Sequence, residues 1–262
     1  MTIDRRHFLK LAGLAAASSL AGQWARQALA AGEAELLGPH ETLAAEPGVK
    51  RWGMVIDLRK CDANGGCDSC IAACHLTHNV PQIDNPEHEL KWIWTEPYEA
   101  AFHSQKSPYT EDTMTGRQVL MLCNHCANPP CVRVCPTQAT FRRESDGIVM
   151  MDWHRCIGCR YCMVACPYGS RSFNFIEPRD YVKEPTREFP TRTRGVVEKC
   201  TFCEERIDKG GLPACVQACT KGAMFFGDLN DPKSPVRELL RQNHSIRRKP
   251  ELGTEPQVYY LV

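Results

Sequence analysis

Large apolar side chains alternate in strand fashion along RWGMVIDL at 51–58, a segment that runs straight into Cys61. A second signal follows Cys135, where PTQATFRRESDGIVMMD sets Phe141 and then Ile148, Val149 and Met150 on either side of an Asp146-Gly147 turn, the pattern of a hairpin. After Cys219, TKGAMFFGD is a similar exit into a short strand. The segments CRYCMVAC and CVQAC instead carry small and apolar residues at helical spacing. The chain is therefore expected to repeat one unit, a cysteine-bearing loop feeding a short helix, in an α+β fold.

The N-terminal pattern is different. Arg5, Arg6 and Lys10 precede the apolar run LAGLAAASSLAG at 11–22, and Ala28-Leu29-Ala30 is an A-x-A cleavage pattern. The run is too short and too rich in Ala and Gly to span a bilayer, so 1–30 reads as a signal peptide. Arg5-Arg6 followed by Phe8-Leu9-Lys10 resembles the twin-arginine export signal, which carries folded, cofactor-loaded proteins, with Asp4 where that pattern usually has Ser or Thr. Residues 31–50 read as a linker. No later stretch approaches the roughly 18 apolar residues of a membrane helix, so membrane association is expected only through partners.

Composition changes the picture at one residue type. The 262 residues include sixteen cysteines, which fall into four groups of four: C61-x5-C67-x2-C70-x3-C74, C123-x2-C126-x4-C131-x3-C135, C156-x2-C159-x2-C162-x3-C166 and C200-x2-C203-x11-C215-x3-C219. The third group, CIGCRYCMVACP, has the bacterial-ferredoxin spacing. In that motif three cysteines on a tight loop reach one cubane, while the fourth, on a helix, ligates the neighbouring cluster. Disulfides would suit an exported protein, but three thiols on one tight loop converge on a common centre more readily than they pair with distant partners. Zinc ribbons use pairs of C-x2-C and give no reason for the third cysteine. Covalent haem needs C-x-x-C-H, and Cys70-IAA-Cys74-His75 has one residue too many. Iron–sulfur clusters are the reading that remains.

Other features add little. A net charge of +1 points to no nucleic-acid partner. His75, His78, His103, His125 and His154 read as surface residues or as hydrogen-bond donors to cluster sulfur, since the cysteines already supply four full ligand sets. The stretches 75–117, with KWIWTEPYEAAF, and 168–195, with FNFIEPRDYVKEPTREFPTRTRG, read as long covering insertions.

CNHCANPPCVRVCP, CIGCRYCMVACPYGSRSFNF, the x11 gap of the fourth group and the closing LGTEPQVYYL together resemble the four-cluster ferredoxin-like subunits of membrane-linked oxidoreductases, such as those of polysulfide reductase, formate dehydrogenase and formate-dependent nitrite reductase systems. Within that group, HNVPQIDNP, KWIWTEPYEAAF and DGIVMMDWHRCIGCRYCMVACPYGSRSFNF are most similar to the periplasmic iron–sulfur subunit of the membrane complex associated with dissimilatory sulfite reductase. The resemblance implies two bacterial-ferredoxin-like modules related by a pseudo-two-fold repeat, each binding two [4Fe–4S] cubanes. It places the first part of an outer module at 51–115, an inner module at 116–183 and the second part of the outer module at 184–262.

The same resemblance implies the ligand sets. Cys61, Cys67, Cys70 and Cys219 hold one cluster, and Cys200, Cys203, Cys215 and Cys74 its neighbour. Cys123, Cys126, Cys131 and Cys166 hold a third, and Cys156, Cys159, Cys162 and Cys135 the fourth. Pro136 and Pro167 follow the last cysteine of the two inner groups, whereas His75 and Thr220 stand there in the outer two, which agrees with this pairing. CDANGGC departs from the family pattern, with x5 in place of x2, and Asn64-Gly65-Gly66 must turn tightly for Cys61 to reach the same cubane.

A cubane with four thiolate ligands has no open iron for a substrate, so its default role is one-electron transfer. Neither G-x-G-x-x-G nor a P-loop occurs in the sequence. The expectation is a relay subunit with no catalytic site of its own. The resemblance implies as partners a membrane-integral quinone-reacting subunit, a multihaem cytochrome and further redox subunits. Export of an already folded protein fits this chemistry, because clusters are assembled on reduced thiols that an unfolded chain outside the cytoplasm would lose to disulfides.

Overall fold

A computed structural model describes residues 48–262 apart from Asp62, Lys106, Thr110 and Glu111. The signal peptide expected at 1–30, and the linker as far as residue 47, lie outside the described residues.

The unit that recurs is strand, cysteine loop, short helix, strand. β1 (Trp52–Asp57) leads to Cys61 and α1 (Ser69–Thr77). The first insertion follows, with β2 (Ile93–Pro97) and α2 (Tyr98–Ala101). β3 (Gln118–Leu122) runs directly into Cys123, and α3 (Pro130–Arg133) leads on to β4 (Thr140–Arg142). β5 (Val149–Met151) delivers Cys156, and α4 (Tyr161–Ala165) precedes β6 (Ser172–Phe173). β7 (Val197–Glu198) delivers Cys200, then come α5 (Glu204–Ile207), α6 (Ala214–Gln217) and β8 (Met224–Asp228). The remaining elements are α7 (Pro235–Gln242), β9 (Ser245–Ile246) and β10 (Val258–Leu261).

The largest sheet has the order β8-β1-β10-β9. β1 is antiparallel to β8, with Met54 opposite Phe226, and parallel to β10, with Ile56 opposite Tyr260. Met54, Ile56, Val258 and Tyr260 are fully buried in the main core, while Val55 and Leu261 pack from the other face against Val236 of α7. β1 thus has apolar neighbours on both faces, a normal condition for a central strand. The hairpin expected around Asp146-Gly147 is present, with Phe141 opposite Met150.

The insertions do more than cover. β2 pairs antiparallel with β3, Trp94 opposite Met121, and Trp92, Ile93, Trp94 and Phe102 are core residues. In the second insertion Arg192 forms an ion pair with Glu198 of β7 at 2.5 Å, both side chains almost wholly buried. The Arg192 guanidinium lies over the rings of Trp92, Trp153 and Phe189 and donates to the carbonyl of Asn79 at 3.0 Å. The Trp92 indole and the Asn174 amide complete the bonding of Glu198, at 2.9 and 2.7 Å. This node joins both insertions to the strand that delivers Cys200. The β2–β3 pairing also crosses the expected module boundary at 115/116, and β6–β7 crosses that at 183/184.

Candidate functional site

His125, Phe202, Cys203 and Arg160 have positive φ within or beside the C-x2-C loops. At Gly158, also at positive φ, a Cβ would stand 2.4 Å from the carbonyl of Gly195, so only glycine lets that loop approach the second insertion so closely. Three of the four groups end in the same turn. Gln138, Gly169 and Gly222, each three residues beyond the last cysteine, take φ of 54°, 66° and 57°. In two of these turns the chain then donates a backbone N–H back to the thiol, Thr140 to Cys135 at 3.4 Å and Ala223 to Cys219 at 3.3 Å.

The sixteen thiols gather into four cages. Cys61, Cys67, Cys70 and Cys219 line one cavity of about 330 Å³, together with Leu120, Ala223 and Met224 (cage A). Cys61 therefore stands with its three expected neighbours, and the 3-10 turn Ala63–Gly65 absorbs the long spacer. Cys74 faces Cys200, Cys203 and Cys215 (cage B); burial, reinforced by those three neighbours, pushes its thiol well above the ordinary range. Cys123, Cys126, Cys131 and Cys166 line a cavity of about 320 Å³ (cage C), and Cys135, Cys156, Cys159 and Cys162 one of about 270 Å³ (cage D). The backbone N–H of Phe202 donates to Cys200 Sγ at 3.4 Å and that of Ala214 to Cys203 Sγ at 3.3 Å.

The cages follow one another in a fixed order. Cys70 and Cys74, four residues apart on α1, face cages A and B respectively. Cys200 of cage B has Cys123 of cage C as its foremost neighbouring ionisable group, and Cys162 of cage D has Arg171 and then Cys131 of cage C. Burial agrees with the order: all four thiols of cage B and three of cage C are buried, whereas three in cage A and three in cage D are part-exposed. At the waist between B and C, the His125 and Phe202 rings stack with centroids 3.7 Å apart. Lys199, fully buried, spans the same waist, donating to the carbonyls of Val149 and Cys200.

The cage chemistry suits metal-bound thiolates. Burial pushes the Cys70 and Cys200 thiols up to about 12, so thiols left without metal in these cages would hold their protons. Iron takes the deprotonated form and releases those protons. Cage C also has polar atoms with no protein partner: both amide atoms of the buried Asn124, and Nη2 of Arg171. Both residues line its cavity, which suits a sulfide-rich group there.

The closing segment 253–261 covers cage C. Ala127 and Asn128 donate their N–H groups to Glu255 and Thr254, and Gln257 donates to Asn124, all at 2.9–3.0 Å. Of the histidines, His103 and His154 are exposed, and His75 is part-buried. His78 is buried, 3.7 Å from Cys74 Sγ through Nδ1, with Nε2 3.2 Å from Glu205. His125 accepts the Val149 N–H at Nδ1, which leaves the proton on Nε2. Arg171 and Lys199 escaped the sequence reading because charge is expected at the surface; their closeness to Cys166 and Cys200 was the available signal.

Four cysteine cages in sequence, with backbone N–H groups donating to Cys135, Cys200, Cys203 and Cys219, define a multi-cluster iron–sulfur protein of the electron-transfer class. The model for the 4Fe-4S dicluster domain matches residues 117–177 and 186–229. The chain is 39% identical to the Hdr-like menaquinol oxidoreductase iron-sulfur subunit 1 of Archaeoglobus fulgidus, over 98% of this chain and 97% of that one. It is 39% identical to the iron-sulfur cluster-binding subunit of menaquinone reductase from Nitratidesulfovibrio vulgaris (80% and 88% covered) and 36% identical to the arsenate respiratory reductase iron-sulfur subunit ArrB of a Shewanella species (80% and 96%). The chain belongs to this family of 4Fe–4S iron–sulfur subunits of oxidoreductase complexes. Among the described residues no helix is long and apolar enough to cross a membrane.

Proposed function

We propose that the protein relays single electrons between a membrane-integral quinone-reacting subunit and further redox subunits, a multihaem cytochrome among them. Each cage holds one [4Fe–4S] cluster, with the sixteen cysteines divided as the cages divide them. A cubane fully ligated by thiolates supplies reversible one-electron storage and transfer. The residues of the chain do the rest: they bury the two middle cages, leave the end cages half-open toward partners, and close the waist with an aromatic pair and Lys199. The observation that carries this reading is the order of four cages with its part-exposed thiols concentrated at the two ends.

The twin-arginine pattern supports a periplasmic location after export of the folded, loaded protein, with membrane attachment through the complex alone. The finer motifs favour sulfur-compound metabolism and the complex associated with dissimilatory sulfite reductase. The 36% identity to the iron-sulfur subunit of an arsenate respiratory reductase favours a second reading, the electron-transfer subunit of a periplasmic molybdenum reductase or dehydrogenase. The two dicluster halves correspond on this account to an inner and an outer ferredoxin-like module.

The test is iron and acid-labile sulfide per chain on the isolated protein purified without oxygen, followed by reduction of its complex with a menaquinol analogue. About sixteen irons and cubane EPR signals that appear on quinol addition are expected. Zinc, or clusters that quinol never reduces, overturns the reading. A molybdenum-containing chain in the purified complex decides for the second.

A further inference from the structure

Of the four buried Lys and Arg side chains among the described residues, two have a carboxylate and Lys199 has two carbonyls. Arg192 has Glu198, and Arg248 has Glu96 at 3.4 Å. Arg171, 5% exposed, has none among the described residues. Its Nη1 donates to Thr140 Oγ1 at 3.0 Å and lies 3.8 Å from Met151 Sδ, while Nη2 is buried without a partner. A guanidinium cannot shed its charge by deprotonation, and leaving it buried and uncompensated is strongly unfavourable. The negative groups that can compensate it are sulfur: Cys131 and Cys123 of cage C, and Cys162 of cage D. The side chain forms part of the wall of cage C, and its charge reaches the thiols of both inner cages.

No fully buried cation is confined to the outer cages among the described residues: at cage A, Arg117, which donates to the carbonyl of Cys61 at 3.1 Å, is half-buried. The cation on the wall of cage A, Lys221, is exposed, so water and salt screen it. Within the inner pair, Arg160 on the wall of cage D is exposed and screened in the same way. Lys199 stands at the waist between B and C and acts on one cage of each half. Glu205, beside Cys200 and Cys203, adds negative charge near cage B.

We propose that Arg171 is a positioning and potential-setting residue that makes the inner pair of clusters the high-potential half of the relay. An electron arriving at cage C or D adds one negative charge beside the fixed, unscreened Arg171, whereas at cage A the cations are part-exposed or exposed and at cage B the buried Lys199 is opposed by Glu205. Electrons therefore rest on the inner pair, whichever end they enter from. This inference relies on the cluster assignment above.

Its test is an EPR-monitored potentiometric titration of the isolated full-length protein, with dithionite as reductant, comparing the native protein with Arg171→Gln and Arg171→Lys. The inner waves are identified by their loss in Cys156→Ala (cage D) and Cys123→Ala (cage C), and the outer by their loss in Cys61→Ala (cage A) and Cys203→Ala (cage B). Arg171→Gln is expected to keep its iron and to move the inner waves to lower potential while the outer waves stay in place. Arg171→Lys, which keeps the charge, should restore most of the shift, and Arg160→Gln should move nothing at moderate salt. Iron-replete Arg171→Gln with unchanged waves, or with all four moved equally, overturns the proposal. So does loss of inner iron in both Arg171 variants, which would make the residue a structural tie to Thr140. A native protein without cubane signals would fail the cluster assignment itself, a separate result.

Discussion

Cages C and D are built from residues 123–166, whereas cages A and B draw on residues 61–74 and 200–219, with the whole inner pair lying between them in sequence. The inner half closes through local hairpins and short helices. The outer half closes only when β1, β8 and β10 meet, a set of contacts about 170 to 200 residues apart along the chain. Similar metal chemistry therefore rests on unlike supports: local turns inside, a long-range sheet outside. The comparison predicts that the halves fail differently, and three variants probe it.

The largest effect belongs to the cages themselves. Cys61→Ala should lower iron from about sixteen to about twelve per chain and spare the inner EPR signals, because cage A would lose the ligand on its most stretched loop. Iron counting beside Cys156→Ala measures the contrast; a full complement in Cys61→Ala would remove Cys61 from cage A. Next comes the node shared by both halves. Arg192→Met leaves Glu198 charged and buried without its partner, a change expected to cost about 3–5 kcal/mol in urea unfolding of the loaded protein. If inner and outer signals then disappear at different urea concentrations, the node belongs to one half only. The smallest effect is electrostatic and confined to β1. Arg59 holds the Asp57 carboxyl below the usual carboxylate range. Its contribution is present above about pH 4 and fades as pH falls through the lowered value. Asp57→Asn should flatten that acid limb in a pH series of thermal unfolding, and an unchanged limb would assign the acid sensitivity elsewhere.

The cage half of the design could be read from residue spacing because thiol ligation is local: three cysteines on one loop must converge, and a helix after them must send the fourth away. β1, the 146–147 hairpin and the strand after Cys219 were legible by alternation and turn chemistry. The β2–β3 pairing was not, since KWIWTEP runs three large apolar residues together in place of a clean alternation and ends in Pro, and its partner QVLML lies beyond a 20-residue gap. The parallel pairing of β1 with β10 leaves no trace in either segment. Arg171, Lys199 and the Arg192–Glu198 pair were hidden for a different reason: a buried charge looks in sequence like any exposed one, and only the environment distinguishes them.

Segment 253–261 touches both halves, capping cage C through residues 254–257 and completing the outer sheet through β10. It is also translated after every cysteine in the chain. Synthesis thus presents all sixteen thiols before the strip that covers cage C, so one late segment ties the cover of an inner cage to the closing of the outer sheet.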